Sequence, residues 1–200
     1  MKKLIILLSA TLKMFSMNIE AQDSTYNDVL TFHPLHFINN GIRIDYDRKI
    51  YNNHWIQIGP QFYVSETTQY EDLREFKELR GAGVSVFHRI YVGKDKPFSG
   101  TYFSYGFNYN HFALKYEEDD PTDEQAQGET NINKFGGDII IGYQLQIVEK
   151  LIIDFYAGLG GRYSSRTFKG NSHKKFNDFM YDYGYTGNVV ITGVRIGFSF

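Results

Sequence analysis

Histidine, aspartate and arginine are the side chains of this sequence with which chemistry could be done. His33 and His36 stand in the run HPLH. On a helix such an i, i+3 pair would converge on a metal ion, but on a strand beside Pro34 the rings should diverge, so no metal centre is expected. Asp119 and Asp120 follow Glu117 and Glu118 in an acidic run, YEEDDPTDEQAQGE, that reads as a solvated loop. A third set is different. Arg43, Asp45, Asp47, Arg89, Asp138, Asp154, Arg162 and Arg195 each sit inside an apolar stretch, on alternate positions from its large residues. Four cations and four anions so placed predict a network of buried ion pairs. No cofactor motif accompanies them.

The elements that must position these charges are strands. In GIRIDYDRKI, residues 41 to 50, Ile42, Ile44 and Tyr46 alternate with Arg43, Asp45 and Asp47. Successive side chains of a strand point to opposite faces, so one face here is apolar and the other charged. The same alternation marks strands at 55 to 64, 82 to 93, 101 to 116, 134 to 148, 151 to 167 and 188 to 200. A weaker first strand, 27 to 37, is broken by Pro34. Eight strands result, seven of them well patterned. Short links at 51 to 54, 94 to 100 and 148 to 150 alternate with long polar ones at 66 to 81, 117 to 133 and 168 to 187, while Asn39-Asn40 makes the first link tight. The pattern predicts an all-β, eight-stranded antiparallel up-and-down barrel that crosses a membrane asymmetrically.

Composition bounds the reading. The 200 residues hold 16 Tyr, 17 Phe and 19 Gly with a net charge of -2, which suits an aromatic-rich β protein and gives no basic field for nucleic acid. There is no cysteine, hence no disulfide framework and no lipid-modified cysteine anchor. Residues 1 to 21 read as a signal peptide: Lys2 and Lys3, an apolar centre from Leu4 to Ala10, and Ala21 before cleavage. Residues 22 to 200 are then the barrel domain. Losing Lys2, Lys3, Lys13 and Glu20 would move the net charge from -2 to about -4. The mean hydropathy of -0.39 fits a membrane barrel, since only alternate side chains meet lipid.

Two closed barrels share this pattern, one with its apolar row inside around a greasy ligand and one with that row outside. Side-chain size separates them. The polar row carries Gly59, Gly83, Gly93, Gly106, Gly142, Gly158, Gly160, Gly193 and Gly197. Small residues belong in the cramped interior of eight strands, so the large apolar residues should point outward. An arginine on the lipid face at mid-bilayer would cost about 2 to 4 kcal/mol, whereas inside it can meet an aspartate. Tyr51 and Trp55 at the first short turn, and Phe98 and Tyr102 at the second, are the expected interfacial aromatics. His88 falls on the outward row.

With these rows assigned, the chain resembles the small eight-stranded outer-membrane barrels of Gram-negative bacteria, the class of the OmpA transmembrane domain and OmpX. The terminal GVRIGFSF is similar to the C-terminal signature of that class, with Val194, Ile196, Phe198 and Phe200 as the alternating residues its barrel assembly machinery recognises. The resemblance implies an outer-membrane location and a monomer among lipid and lipopolysaccharide. Barrel deacylases of this kind resemble one another in a His-x-Ser motif, whereas here the strands read His88-Arg89-Ile90 and His111-Phe112-Ala113. A barrel protease would want paired aspartates at the rim with a histidine. No enzyme is expected. The expected role is structural or surface interaction through the loops, with the lumen plugged by side chains; a narrow porin-like channel is the alternative, and a lipid-modifying enzyme a more distant one. Lys169, Lys174 and Lys175 in the basic last loop are candidate contacts for lipopolysaccharide phosphates.

Overall fold

The computed structural model describes residues 26–66, 76–92, 99–120, 123–170 and 173–200. Eight strands close on themselves in chain order, each antiparallel to its neighbours: β1 (Asp28–Phe32), β2 (Gly41–Tyr51), β3 (His54–Glu66), β4 (Glu78–Tyr91), β5 (Gly100–Asp120), β6 (Asp123–Gln146), β7 (Leu151–Gly170) and β8 (Gly187–Ser199). β1 also pairs with β8, from Val29↔Ser199 to Phe32↔Ile196, and this pairing closes the ring. The start of β1, the end of β8 and the short turns lie at one end, called lower here. Asn52 supplies the tight β2–β3 turn with a left-handed φ of 43°, a conformation Asn tolerates better than most residues.

The alternation seen in the sequence sorts the side chains as the membrane-type barrel requires. Phe107 is 77% exposed on the outside and Ile141 62%, within a belt that includes Ile58, Val84, Phe155 and Leu159. Asp45, Gln57, Arg89, Asp154 and Arg195 are buried within. The belt has an upper limit. Tyr109, Phe135 and Tyr163 form its last outward aromatic row, and above them His111, Asn133, Ser165 and Thr167 are polar. The glycines of the inner row make room for large rings. A Cβ on Gly142 would overlap Tyr102, and one on Gly193 would overlap Tyr156.

Three elements differ from the expected ones. β1 stops at Phe32, and Pro34–Asn39 forms a 3-10 helix in place of a longer strand. Pro34 presets the first turn, and Asn40, with a left-handed φ of 55°, ends the helix by donating its N–H to the carbonyls of His36 and Phe37. The acidic run is no loop: β5 and β6 continue as one hairpin to Asp120↔Asp123. A spanning strand needs about 9 to 11 residues, and β5 has 21 and β6 24, so this hairpin stands well above the apolar belt.

Candidate functional site

The lumen holds the sequence's charged set, in two groups. In the lower group, three arginines face three aspartates. Arg89 donates from Nη1 to Gln144 Oε1 at 3.0 Å and to Tyr91 Oη at 3.1 Å, while its Nη2 lies 3.5 Å from Asp154 and 3.8 Å from Asp47. Arg195 donates to Asp154 at 3.3 Å and to Gln57 at 3.4 Å, and its Nε is 4.0 Å from Asp45. Asp45 in turn accepts from Arg43 Nε at 2.6 Å and Nη2 at 3.0 Å. The two fully enclosed guanidiniums also stack: Arg89 over Tyr102 and Arg195 over Tyr156, each 4.2 Å from the ring centre. In the upper group Arg162 pairs with Asp138 through both guanidinium nitrogens, and Asn108 Nδ2 donates to the same carboxylate at 2.9 Å.

Around and below the lower group, Val29, Trp55, Tyr91, Tyr102 and Ile152 pack into an apolar floor, and Phe87 and Ile140 of the same cluster rise into the chamber wall above it. Trp55 is 1% exposed and Tyr102 0%, which corrects their expected place in an interfacial girdle. The reason is parity: Trp55 shares the inward row with Gln57, and Tyr102 shares it with Ser104. Tyr51 is outward and exposed, whereas Phe98 lies outside the described residues. Gly93, also among the expected inner glycines, lies outside them too.

Above the upper group, Tyr63, Leu79, Phe112, Leu114, Tyr116, Ile132 and Phe176 form a second apolar cluster. The segment between β7 and β8 folds inward to complete this roof. Lys174 donates its N–H to Tyr116 Oη at 2.9 Å, Thr130 Oγ1 donates to Lys174 O at 2.8 Å, and Lys134 Nζ donates to Asp182 O at 2.7 Å. Phe176 holds a left-handed φ of 47° with its ring buried. Such strain persists only where packing over-determines it.

Between floor and roof lies a chamber of about 240 Å³, lined by Arg43, Ser85, Asn110, Lys134, Asp138 and Arg162 among others. Ser85 Oγ and Asn110 Oδ1 are buried in its wall without a hydrogen-bond partner within the protein. Reading the sequence misses Lys134, Ser85 and Asn110. Their signal is parity alone, which places them inward without telling which inner residues stay unpaired.

The histidines also differ from expectation. His33 and His36 do approach, with ring centres 5.2 Å apart, because side chains three apart eclipse on a 3-10 helix. Among the described residues no set of three His, Asp or Glu is placed to hold a metal ion. His33 Nε2 lies 2.7 Å from Asp45 and Nδ1 3.3 Å from Tyr156 Oη, so both ring nitrogens are engaged. His88 is on the outer face, stacked on His54 with centres 5.1 Å apart and hydrogen-bonded to Tyr105 Oη at 2.9 Å. Of the three candidate lysines, Lys169 pairs with Glu129 at 3.0 Å, Lys174 lies 5.6 Å from the Phe176 ring centre, and Lys175 is exposed. At the C-terminus Ile196, Phe198 and Phe200 are exposed on the outer row and Val194 is half-buried.

No family model matches the chain, and no curated protein matches it. A comparison with solved structures finds the crystal structure of Acinetobacter baumannii CarO, at 10% sequence identity and a TM-score of 0.46, covering 90% of this chain and 100% of that one.

Proposed function

We propose that the chain is an outer-membrane barrel whose lumen is plugged by side chains and which acts structurally or through its projecting surface. The observation that carries this reading is the outward apolar belt. A water-soluble barrel has no use for a ring of exposed Phe107, Ile141, Leu159 and their neighbours, since contiguous apolar patches of that extent mark lipid or protein contact. Export through residues 1 to 21, docking of the Val194, Ile196, Phe198 and Phe200 row on the barrel assembly machinery, and residence as a monomer among lipid and lipopolysaccharide belong to the same proposal.

Against a channel stands the floor. Trp55, Tyr91, Tyr102 and Ile152 close the lumen under Arg89 and Arg195, and these side chains hold one another in place. Against an enzyme stands His33, the most deeply buried histidine among the described residues, whose two ring nitrogens are both engaged, by Asp45 and by Tyr156. The test is reconstitution. In detergent the protein should be monodisperse and without detergent it should aggregate; in planar bilayers it should give no stable open conductance, and lipopolysaccharide incubated with it should keep all its acyl chains. Solubility without detergent would overturn the membrane reading, a steady conductance the plug, and acyl loss the non-enzymatic role.

A further inference from the structure

The barrel wall is incomplete on one side. β8 is paired with β7 along its whole length, but β1 covers it only as far as Ile196, so the stretch from Gly187 to Arg195 has no strand on its other flank. The 3-10 helix Pro34–Asn39 lies beside this gap and touches both β2 and β8. It turns Leu35, Phe37 and Ile38 outward, Ile38 with 78% of its surface exposed. By register Val190, Thr192 and Val194 stand beside Leu159, Ala157 and Phe155 of β7, so the gap lies within the apolar belt. An open sheet edge and irregular backbone are tolerated at that depth only where they are buried or line a cavity.

A cavity is what they line. Residues from both faces of β8 border the roofed and floored chamber, Val189 and Ile191 from inside, Val190, Thr192 and Val194 from outside, so the space wraps around the free edge of the strand. Leu35 borders it from the 3-10 helix. Apolar clusters lie above and below it, and its lining reaches the outer face along this edge.

Its charge identifies the visitor. Arg43, Lys134, Arg162 and Arg195 line the chamber with a single carboxylate, Asp138. Asp45 and Asp154 offset Arg43 and Arg195, and Asp138 offsets Arg162. Lys134 is the cation least offset, bonded to the backbone carbonyl of Asp182 and to no carboxylate among the described residues, with the Asp182 carboxylate acting only at longer range. Nearby, Ser85 Oγ is buried without a partner, a hydroxyl that can donate to an anionic oxygen. At about 240 Å³ the chamber is smaller than the roughly 300 to 1,000 Å³ of ordinary small-molecule pockets. It takes a head group and leaves a hydrocarbon tail outside.

We propose that the gap between β8 and the 3-10 helix is a lateral portal, through which a membrane amphiphile with an anionic, phosphate-type head places that head beside Lys134 and Ser85. Its chain lies in the slot between Leu35 and Val190. This rests on the membrane reading above. The source of the head is the lipid phase, and a free phosphate arriving from water is the outcome the experiment separates.

The experiment is calorimetric titration of the folded barrel in uncharged detergent with dodecyl phosphate, inorganic phosphate and dodecanol. Dodecyl phosphate should bind saturably at one site per barrel, and dodecanol and inorganic phosphate each at least tenfold more weakly. Lys134→Gln should weaken dodecyl phosphate about ten- to hundredfold, the loss of one charge-assisted hydrogen bond. Thr192→Trp, on the exposed rim and away from the lumen, should weaken dodecyl phosphate and leave inorganic phosphate unchanged. The proposal is overturned if dodecyl phosphate shows no saturable site, if inorganic phosphate binds as tightly, or if both variants, folded by circular dichroism, bind like the parent. Behaviour without detergent is read before any ligand is added, so failure of the membrane reading is seen separately.

Discussion

Tyr102 carries the Arg89 guanidinium on its ring face, 4.2 Å from the centre, while its hydroxyl donates to Asp154 at 2.8 Å, the carboxylate that also holds Arg195. One tyrosine thus joins both buried cations to their shared anion. Replacing Tyr102 by Phe keeps the stacking and removes only the hydrogen bond. Denaturant unfolding in lipid vesicles should show a loss of about 1 to 3 kcal/mol. Asp154→Ala leaves two buried guanidiniums short of a partner, so its loss should be larger, about 3 to 5 kcal/mol. Equal losses for the two variants would refute the shared-anion arrangement.

Gly142 and Gly161 separate crowding from backbone entropy. A Cβ at Gly142 would overlap the Tyr102 ring, whereas at Gly161 nothing lies within 4 Å. Gly142→Ala should destabilise by about 1 to 3 kcal/mol through overpacking. Gly161→Ala should be neutral or stabilise by up to about 1 kcal/mol, since alanine restricts the unfolded chain.

On the outward belt it is adding a charge, not removing one, that should destabilise. Ile141→Arg places a cation on the outer face, and its register partners Phe103 and Ala157 lie in the same belt. In vesicles it should cost about 2 to 4 kcal/mol. In a protein whose outer face met water the same change would be close to neutral, so unfolding titrations of this variant distinguish the two solvents.

Above the belt, Lys115 donates to Glu78 at 2.7 Å, and this bond holds the Glu78 carboxyl below the usual 4.5. Glu129 is likewise lowered, first by its bond from Asn131 and then by Lys169. A depressed carboxyl contributes stability that is present above its unfolded value and is lost as pH falls through the folded one. Both groups are half-buried at a solvent-screened surface, so the signature is spectroscopic. Carboxyl carbon NMR should find Glu78 titrating below 4.5, and Lys115→Gln should return it toward that value.

Alternation makes the barrel legible in the sequence, because a period of two survives in Ile42-Arg43-Ile44-Asp45 whatever the neighbours do. It also contained the right answer for Trp55 and Tyr102, since both share parity with polar inner residues. Proximity to a turn suggested an interface instead, and parity won because a strand side chain cannot choose its face. The upper β5–β6 hairpin was hidden for another reason. Glu117, Glu118 and Asp119 have poor strand propensity, and it is cross-strand pairing, Lys115↔Glu129 through Glu118↔Ala126, that extends the ladder. The chamber was the least visible feature. It depends on where β1 stops, and one proline in a polar-apolar mixture does not tell a kinked strand from a 3-10 helix.

The brevity of β1 has a mechanical consequence. Its two junctions are the shortest in the ring, five register pairs with β2 and four with β8, the latter from Val29 to Phe32. A ring held by backbone ladders parts most readily where the fewest of them must break. The seam that yields first carries Val29 of the apolar floor on one side and ends beside Arg195 on the other, so opening it loosens the buried anchor.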